Sequence, residues 1–431
     1  MALDAQSNWN VEMSQPMRVA LRPRTSAKNV STTKSPSSAQ TSSSPLKVST
    51  REVPLPTEII SLILSFIPRR ASSQPTFWAC TLVSRAWYSA AIARLYDHPH
   101  LTPGNFSFFV STICPSKNAH IRHTPLSVLV HRLDMSELVH NSSRSLTARL
   151  LGRLKGNLEE FVAPQTSFAI NSFAALSKCV RLRYLDLSLV PASIEMEQLF
   201  NTLSTMNDLE TLFFPRSSRP GVTPWTEGPE IEKGARYTWP PRLKALHLAG
   251  GVDNYFLKWQ LIHAPKTLER LSIQHCSQAY VGGLMDCLEV LGPQLQHLTI
   301  RHPMTKLFPS ALDHILLLCP SLIAFRVSAD YISHSFFESI PQSHPLRILE
   351  LDCSSTAGVE VGIDPDTIFD AVEEGRLPDL RSVRVHARLA WTATERIKRD
   401  AQDLGDILEA AERERPLGVV AGVWIVNDEM A

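Results

Sequence analysis

A leucine pattern recurring from residue 126 to the neighbourhood of residue 385 limits what this chain can fold into more than any other feature. Its form is L-x-x-L-x-L, met at Leu158-Phe161, Leu182-Leu185-Leu187, Leu209-Leu212, Leu243-Leu246-Leu248, Leu268-Leu271-Ile273, Leu295-Leu298-Ile300, Leu322-Phe325-Val327, Leu346-Leu349-Leu351 and Leu380-Val383-Val385. A weaker copy starts at Leu126-Leu129. Successive copies begin 32, 24, 27, 34, 25, 27, 27, 24 and 34 residues apart. Helix-like runs lie between them, among them Glu195 to Thr205, Val281 to Leu291, Ser310 to Cys319 and Asp364 to Glu374. One strand and one helix cannot bury their apolar faces alone, so neighbouring units must stack into a curved solenoid with a parallel sheet inside and helices outside.

The period and the pattern resemble the leucine-rich-repeat family over about two-thirds of the chain. The family's Asn or Cys three residues after the third apolar position occurs cleanly only as Cys276, and Val190, Gly251, Pro303 and Asp330 stand at its equivalents elsewhere. The turns are therefore expected to be irregular, with Cys276 serving the turn backbone. Strand alternation sends the leucines into the core and the intervening residues onto the concave sheet. Those residues are Tyr184 and Asp186, Thr211 and Phe213, His247, Arg270, His297 and Arg301, Arg326, Glu350 and Asp352, then Arg384 and His386.

Upstream, residues 55–96 read LPTEIISLILSFIPRR, a break, then TFWACTLVSRAWYSAAIARLY. Prolines at 54 and 56 suit a first helical turn, Glu58 favours the positive end of the dipole and Pro68 forbids continuation, which predicts a helix over Thr57 to Ile67. A second helix is expected after Pro75 with Thr76 as cap, carrying Trp78, Leu82 and Val83. A third should follow Ser84 with Trp87, Ala91, Leu95 and Tyr96 inward. Three short helices cannot bury this much apolar surface among themselves, so some of it must meet the rest of the chain or another protein.

The Leu-Pro opening, acidic residue, Ile/Leu run and Val-Ser-Arg-x-Trp segment resemble an F-box. That resemblance implies docking on a Skp-type adaptor that sits on the cullin of a ubiquitin ligase. It also implies adaptor contacts from Leu55, Pro56, Ile59, Ile63 and Leu64, and support of the module's core by Leu82, Val83 and Trp87. Without the resemblance, the same helices read as a cap on the downstream solenoid. The insert from Arg69 to Pro75 is longer than many F-boxes carry.

The expected organisation is α/β: a disordered tail over 1–52, a three-helix F-box over 53–97, a linker over 98–125, a leucine-rich-repeat solenoid over 126–415 and a capping strand and tail over 416–431. Fourteen of residues 31–50 are Ser, Thr or Pro, a composition that cannot pack a core. Ser35-Pro36 and Ser44-Pro45 suit proline-directed kinases, or the stretch is plain linker. Residues 215–240 form a Pro- and Gly-rich insertion with Trp225, Tyr237 and Trp239, read as a functional lid or a disordered loop. Ile397, Ala401, Leu404, Leu408 and Ala411 share one helical face before GVVAGVWIV at 418–426, an expected cap over the last repeat.

A net charge of +1 gives no basic excess for nucleic acid. Seven cysteines without C-x-x-C spacing fit buried free thiols in a reducing compartment. No apolar run approaches a membrane span, leaving cytoplasm or nucleus. Phosphate-cradling and nucleophile-elbow motifs are absent. Cys114, His120 and His123 lack a fourth ligand for a closed zinc site. No metal, cofactor or catalysis in this chain is expected.

The F-box resemblance thus implies a substrate receptor in ubiquitin-dependent catabolism, or else a non-degradative scaffold. Expected target contacts are Tyr184, Phe213, His247, Arg270, His297, Arg301 and Arg326. Arginine at these positions suits an acidic or phosphorylated target segment. The other reading of the same face is a solvated sheet whose charges are balanced by Glu350 and Asp352.

Overall fold

The structure, a computed structural model, describes residues 55–115, 124–139, 143–219, 237–354 and 362–426. The stretch expected to be a tail, Trp225 with most of the 215–240 insertion, His120 and His123 lie outside the described residues.

Three helices open the described chain: α1 (Thr57–Ser65), α2 (Gln74–Val83) and α3 (Arg85–Asp97). Ile60 and Leu64 of α1, Phe77 of α2 and Ala90 and Ala91 of α3 form a small core of their own, with Trp87, Cys80, Leu95 and Ile67 packed on it. The second helix begins three residues earlier than a Thr76 cap would give, because Pro75 occupies its first turn, where a missing N–H costs nothing. Thr76 is therefore inside the helix and caps nothing. Ser84 caps α3, its hydroxyl accepting the Trp87 N–H at 3.3 Å.

The fourth helix, α4 (Phe106–Ile113), falls in the segment expected to be a connector, yet it buries Phe106, Phe109 and Ile113 in the solenoid core. It closes the first repeat against solvent, as the terminal unit of a solenoid must. The repeats then follow: β1 (Arg132–Asp134), α5 (Arg144–Leu154), β2 (Glu160–Val162), α6 (Ile170–Leu176), β3 (Tyr184–Asp186), β4 (Ile194–Glu195), α7 (Met196–Leu203), β5 (Thr211–Phe213), β6 (Ser218–Arg219), β7 (Ala245–Ala249), β8 (Arg270–Gln274) and α8 (Val281–Leu291). Next come β9 (His297–Arg301), α9 (Ile315–Leu318), β10 (Ala324–Ser328), α10 (Ser335–Glu338), β11 (Ile348–Asp352), α11 (Pro365–Glu373), β12 (Ser382–His386), α12 (Glu395–Glu414) and β13 (Gly422–Val426).

Eleven of these strands, all but β4 and β6, form one sheet in chain order, and every neighbouring pair is parallel. Register is fixed by the leucines: Leu185, Leu212, Leu246, Leu271, Leu298, Phe325 and Leu349 align across the sheet and are buried. A one-residue slip would turn that whole row to solvent. Backbone bonds run from repeat to repeat at the strand entrances, Glu210 N–H to Arg183 O, Lys244 N–H to Glu210 O, and Glu269 N–H to Lys244 O, at 2.8 to 2.9 Å. The chain is thus a helical module followed by a leucine-rich-repeat solenoid.

The first repeat stands four residues later than the weak copy suggested. Leu126 and Leu129 belong to a 3-10 turn, and the aligned apolar positions are Val130, Leu133 and Met135, all fully buried. Ser310 to Cys319 likewise yields only the one-turn α9.

At the far end α12 buries Leu404 and Leu408 against the last repeats, and β13 adds to β12. Arg381, 2% exposed, donates from Nε to Glu412 Oε2 at 3.1 Å, and from its Nη atoms to the carbonyls of Pro378, Leu380 and Arg415. Glu412 in turn accepts the N–H groups of Leu417 and Gly418. The Leu417 amide is the main cause of its lowered pKa.

Candidate functional site

The α1 helix has two apolar faces. Ile60 and Leu64 look into the module's core. Ile59, Leu62, Ile63 and Phe66 follow the i, i+3, i+4, i+7 spacing of a second stripe, and they are 43%, 55%, 43% and 80% exposed. Leu55 and Pro56 are exposed just before them. Of the five residues expected to contact an adaptor, Leu55, Pro56, Ile59 and Ile63 therefore stand on the open side. Leu64 does not: it is fully buried, four residues on from Ile60 on the inner stripe.

On α2 the helical period turns Phe77 and Cys80 toward α3, which leaves Trp78 and Leu82 on the opposite side. Leu82 and Val83, expected in the module's core, are 67% and 65% exposed. Trp87 does pack on that core. Sequence reasoning assigned no contact role to Leu62, Phe66 and Trp78. The signal available for the first two was the Ile59-Leu62-Ile63-Phe66 spacing itself. Trp78, Leu82 and Val83 give α2 an exposed apolar cluster of its own beside the stripe of α1. Fully burying each would contribute about 1.5–3 kcal/mol, a strong drive toward a partner.

The module is fastened to the solenoid at Asp97, the last residue of α3. Its carboxylate meets Arg69 Nη1 at 2.7 Å and His131 Nδ1 at 2.8 Å, and its carbonyl accepts the His131 N–H at 3.0 Å. The Gln74 side-chain amide donates to the His98 carbonyl at 2.9 Å. Burial pushes the neighbouring His98 down, against the pull of Asp97. Tyr96 stacks on Phe109 of α4 at 6.5 Å. Arg69 lies between α1 and α2 and Gln74 opens α2, so the stretch expected as an insert, Arg69 to Pro75, reaches the junction.

On the concave face, Phe213 lies on His247 with centroids 3.8 Å apart and planes at 1°, and Tyr184 lies 5.6 Å from Phe213. Burial, then Arg270, pushes His247 and His297 down to about 4, so both are neutral at neutral pH. Burial also lowers the Arg270 guanidinium. The expected row of arginines facing a target is not a bare cationic column. Arg301 Nε meets Asp352 Oδ2 at 2.5 Å, and Arg326 Nε stands 2.9 Å from Glu350 Oε1 as an ion-pair contact. At the other end Arg132 binds both Glu160 and Asp134, at 3.0 and 2.9 Å.

Tyr237 and Trp239, expected in a functional lid or a disordered loop, are packed into the solenoid. Tyr237 stacks on Phe200 at 4.8 Å, and the Trp239 indole donates to the Gln260 carbonyl at 3.0 Å inside the core. Burial pushes the thiols of Cys179, Cys276 and Cys319 up to about 12, and that of Cys287 higher still, which disfavours the thiolate a nucleophile needs. Among the described residues no group of three His, Cys, Asp or Glu side chains is placed to hold a metal, and no helix is long and apolar enough to cross a membrane.

No family profile matches the chain. It is 33% identical to the F-box protein YDR306C of Saccharomyces cerevisiae over 319 residues, which cover 72% of this chain and 63% of that one. The matched region thus spans a little under two-thirds of that relative's length. It is 30% identical to Protein pof5 of Schizosaccharomyces pombe over 329 residues, 76% of this chain and 87% of the relative. Among solved structures, the leucine-rich repeat-containing protein LegL7 from Legionella pneumophila is 12% identical, with 69% and 91% of the two chains covered and a TM-score of 0.41. The Rad7 and Elc1 complex in yeast gives 14%, 77% and 88%, also with a TM-score of 0.41. On the strength of the two sequence relatives, this chain belongs to the F-box protein family.

Proposed function

We propose that this chain is the substrate-recognition subunit of a Skp-cullin-F-box-type ubiquitin ligase. The α1 and α2 helices hold the Skp-type adaptor, and through it a cullin. The solenoid's concave sheet holds the target protein. The observation that carries this reading is the second apolar stripe of α1, from Ile59 to Phe66, left open by a module that already has its own core. A helical cap packed on the solenoid would have buried that stripe.

The chain is non-catalytic in this reading. Its contribution to rate is proximity, raising the effective concentration of target lysines near the charged conjugating enzyme. The Asp97 junction supports that role, because it ties the adaptor-facing module to the first repeat.

Copurification of the full chain with a Skp-type adaptor and a cullin tests the assembly, and deletion of the chain tests the outcome. One or more proteins captured by the solenoid should accumulate on deletion. Assembly without any accumulation would favour a non-degradative scaffold, and absence of the adaptor would overturn both readings.

A further inference from the structure

The charges of the concave face are divided unevenly. On the β9–β11 side, Arg301 and Arg326 are matched by Asp352 and Glu350. On the β1–β3 side, three carboxylates, Asp134, Glu160 and Asp186, share one guanidinium, Arg132, which reaches only the first two. Asp186 accepts the Ser188 N–H at 2.8 Å and has no cation within ion-pairing distance among the described residues. It stands in register with Phe213 on β5. His247 covers the face of the Phe213 ring on the β7 side, and the β3 side of that ring is shared by Tyr184, 5.6 Å away and tilted to it, and by Asp186.

A half-buried carboxylate beside an aromatic face has one fitting complement. A lysine or arginine side chain presents an alkyl stem to the ring, a cation to its negative π-face and hydrogen-bond donors to the carboxylate. An acidic or phosphorylated segment would be repelled here, and at the other end it would have to displace Asp352 and Glu350 from their arginines. Resting on the receptor role argued above, we propose that the β3–β5 step takes a basic side chain from an extended basic segment of the target, paired with Asp186 and laid against Phe213. Burial and the nearby Asp134 already raise the Asp186 pKa, so a cation arriving there would relieve an existing cost.

The test is fluorescence anisotropy of the full chain with three labelled hexapeptides: alternating Gly-Arg, alternating Gly-Glu, and one carrying phosphoserine. The Gly-Arg peptide should bind saturably and the other two more weakly. Asp186→Asn keeps the shape and the Ser188 bond, and should weaken Gly-Arg binding by about fivefold to tenfold. Phe213→Leu keeps the apolar bulk and should weaken it by about threefold. Glu289→Gln, at an exposed position of helix α8 away from the concave sheet, should leave it unchanged. Equal binding by wild type, Asp186→Asn and Phe213→Leu would overturn the proposal, as would no Gly-Arg binding or a preference for the phosphoserine peptide. Adaptor binding measured on the same samples separates the two readings. Its presence with a failed peptide test removes this site alone, whereas its absence from the wild type removes the receptor role.

Discussion

Ile59 and Ile60 are neighbours in the chain and lie on different sides of α1, Ile60 in the module's core and Ile59 open to solvent. Successive residues of a helix are set about 100° apart, so a run such as IISLIL can furnish two apolar faces at once. The inner face holds the three helices together, and the outer one stays exposed.

Stability should follow that division. Leu64→Ala removes a fully buried side chain from a small core and should cost about 2–5 kcal/mol of the module's stability. Ile63→Ala, one residue away, should stay within about 0.5 kcal/mol. Chemical denaturation followed by Trp87 fluorescence reports the difference. Equal effects would mean that the two faces are misassigned.

Asp97 joins the module to the first repeat through the side chain and the backbone N–H of His131, while Arg69 of the module holds the same carboxylate. Asp97→Ala should destabilise that junction by about 1–3 kcal/mol, and the His131 amide should exchange faster while amides of β8 to β11 are unchanged. A slowdown of exchange at His131, or its spread through the whole sheet, would count against a local fastening.

The neutral histidines of the concave face give a pH dependence of known sign. His247 takes its proton at about 4 in the fold, against 6.5 when unfolded. Between these values the unfolded chain binds the extra proton, so stability is full above about pH 6.5 and declines as pH falls toward 4. The melting temperature should drop over this window, and His247→Gln should make the drop smaller. An equally steep decline in the variant would place its origin elsewhere.

The C-terminal cap depends on Arg381, buried with Glu412 as its ionic partner. Arg381→Ala strands part of that network and should cost about 3–5 kcal/mol. Glu412→Gln should cost less, because an amide oxygen still accepts from Leu417 and Gly418. Thermal melts of the two variants should rank in that order.

Much of this architecture was legible because the leucine pattern fixes both period and register. The aligned row from Leu185 to Leu349 follows directly from it. The first repeat was misplaced because Leu126 and Leu129 imitate the pattern just ahead of Val130, Leu133 and Met135, and only stacking on β2 distinguishes them. Leu64, Leu82 and Val83 were assigned to the wrong sides for a related reason. All three are apolar residues in short helices, and which face turns inward depends on where α3 packs. The pairing of Arg326 with Glu350 was legible as an alternative, since strand order sets them side by side. The Arg301–Asp352 pair was less so, because it spans β10.

The central claim is that the outer stripe of α1 is an adaptor-binding surface, and calorimetric titration of the full chain with a Skp-type adaptor tests it most directly. Ile59→Asp combined with Ile63→Asp should weaken binding by more than about 100-fold, since an unpaired carboxylate buried in an apolar interface costs several kcal/mol. The melting temperature should stay at the wild-type value, because neither residue belongs to the core. Unchanged affinity in a folded double variant would contradict the account.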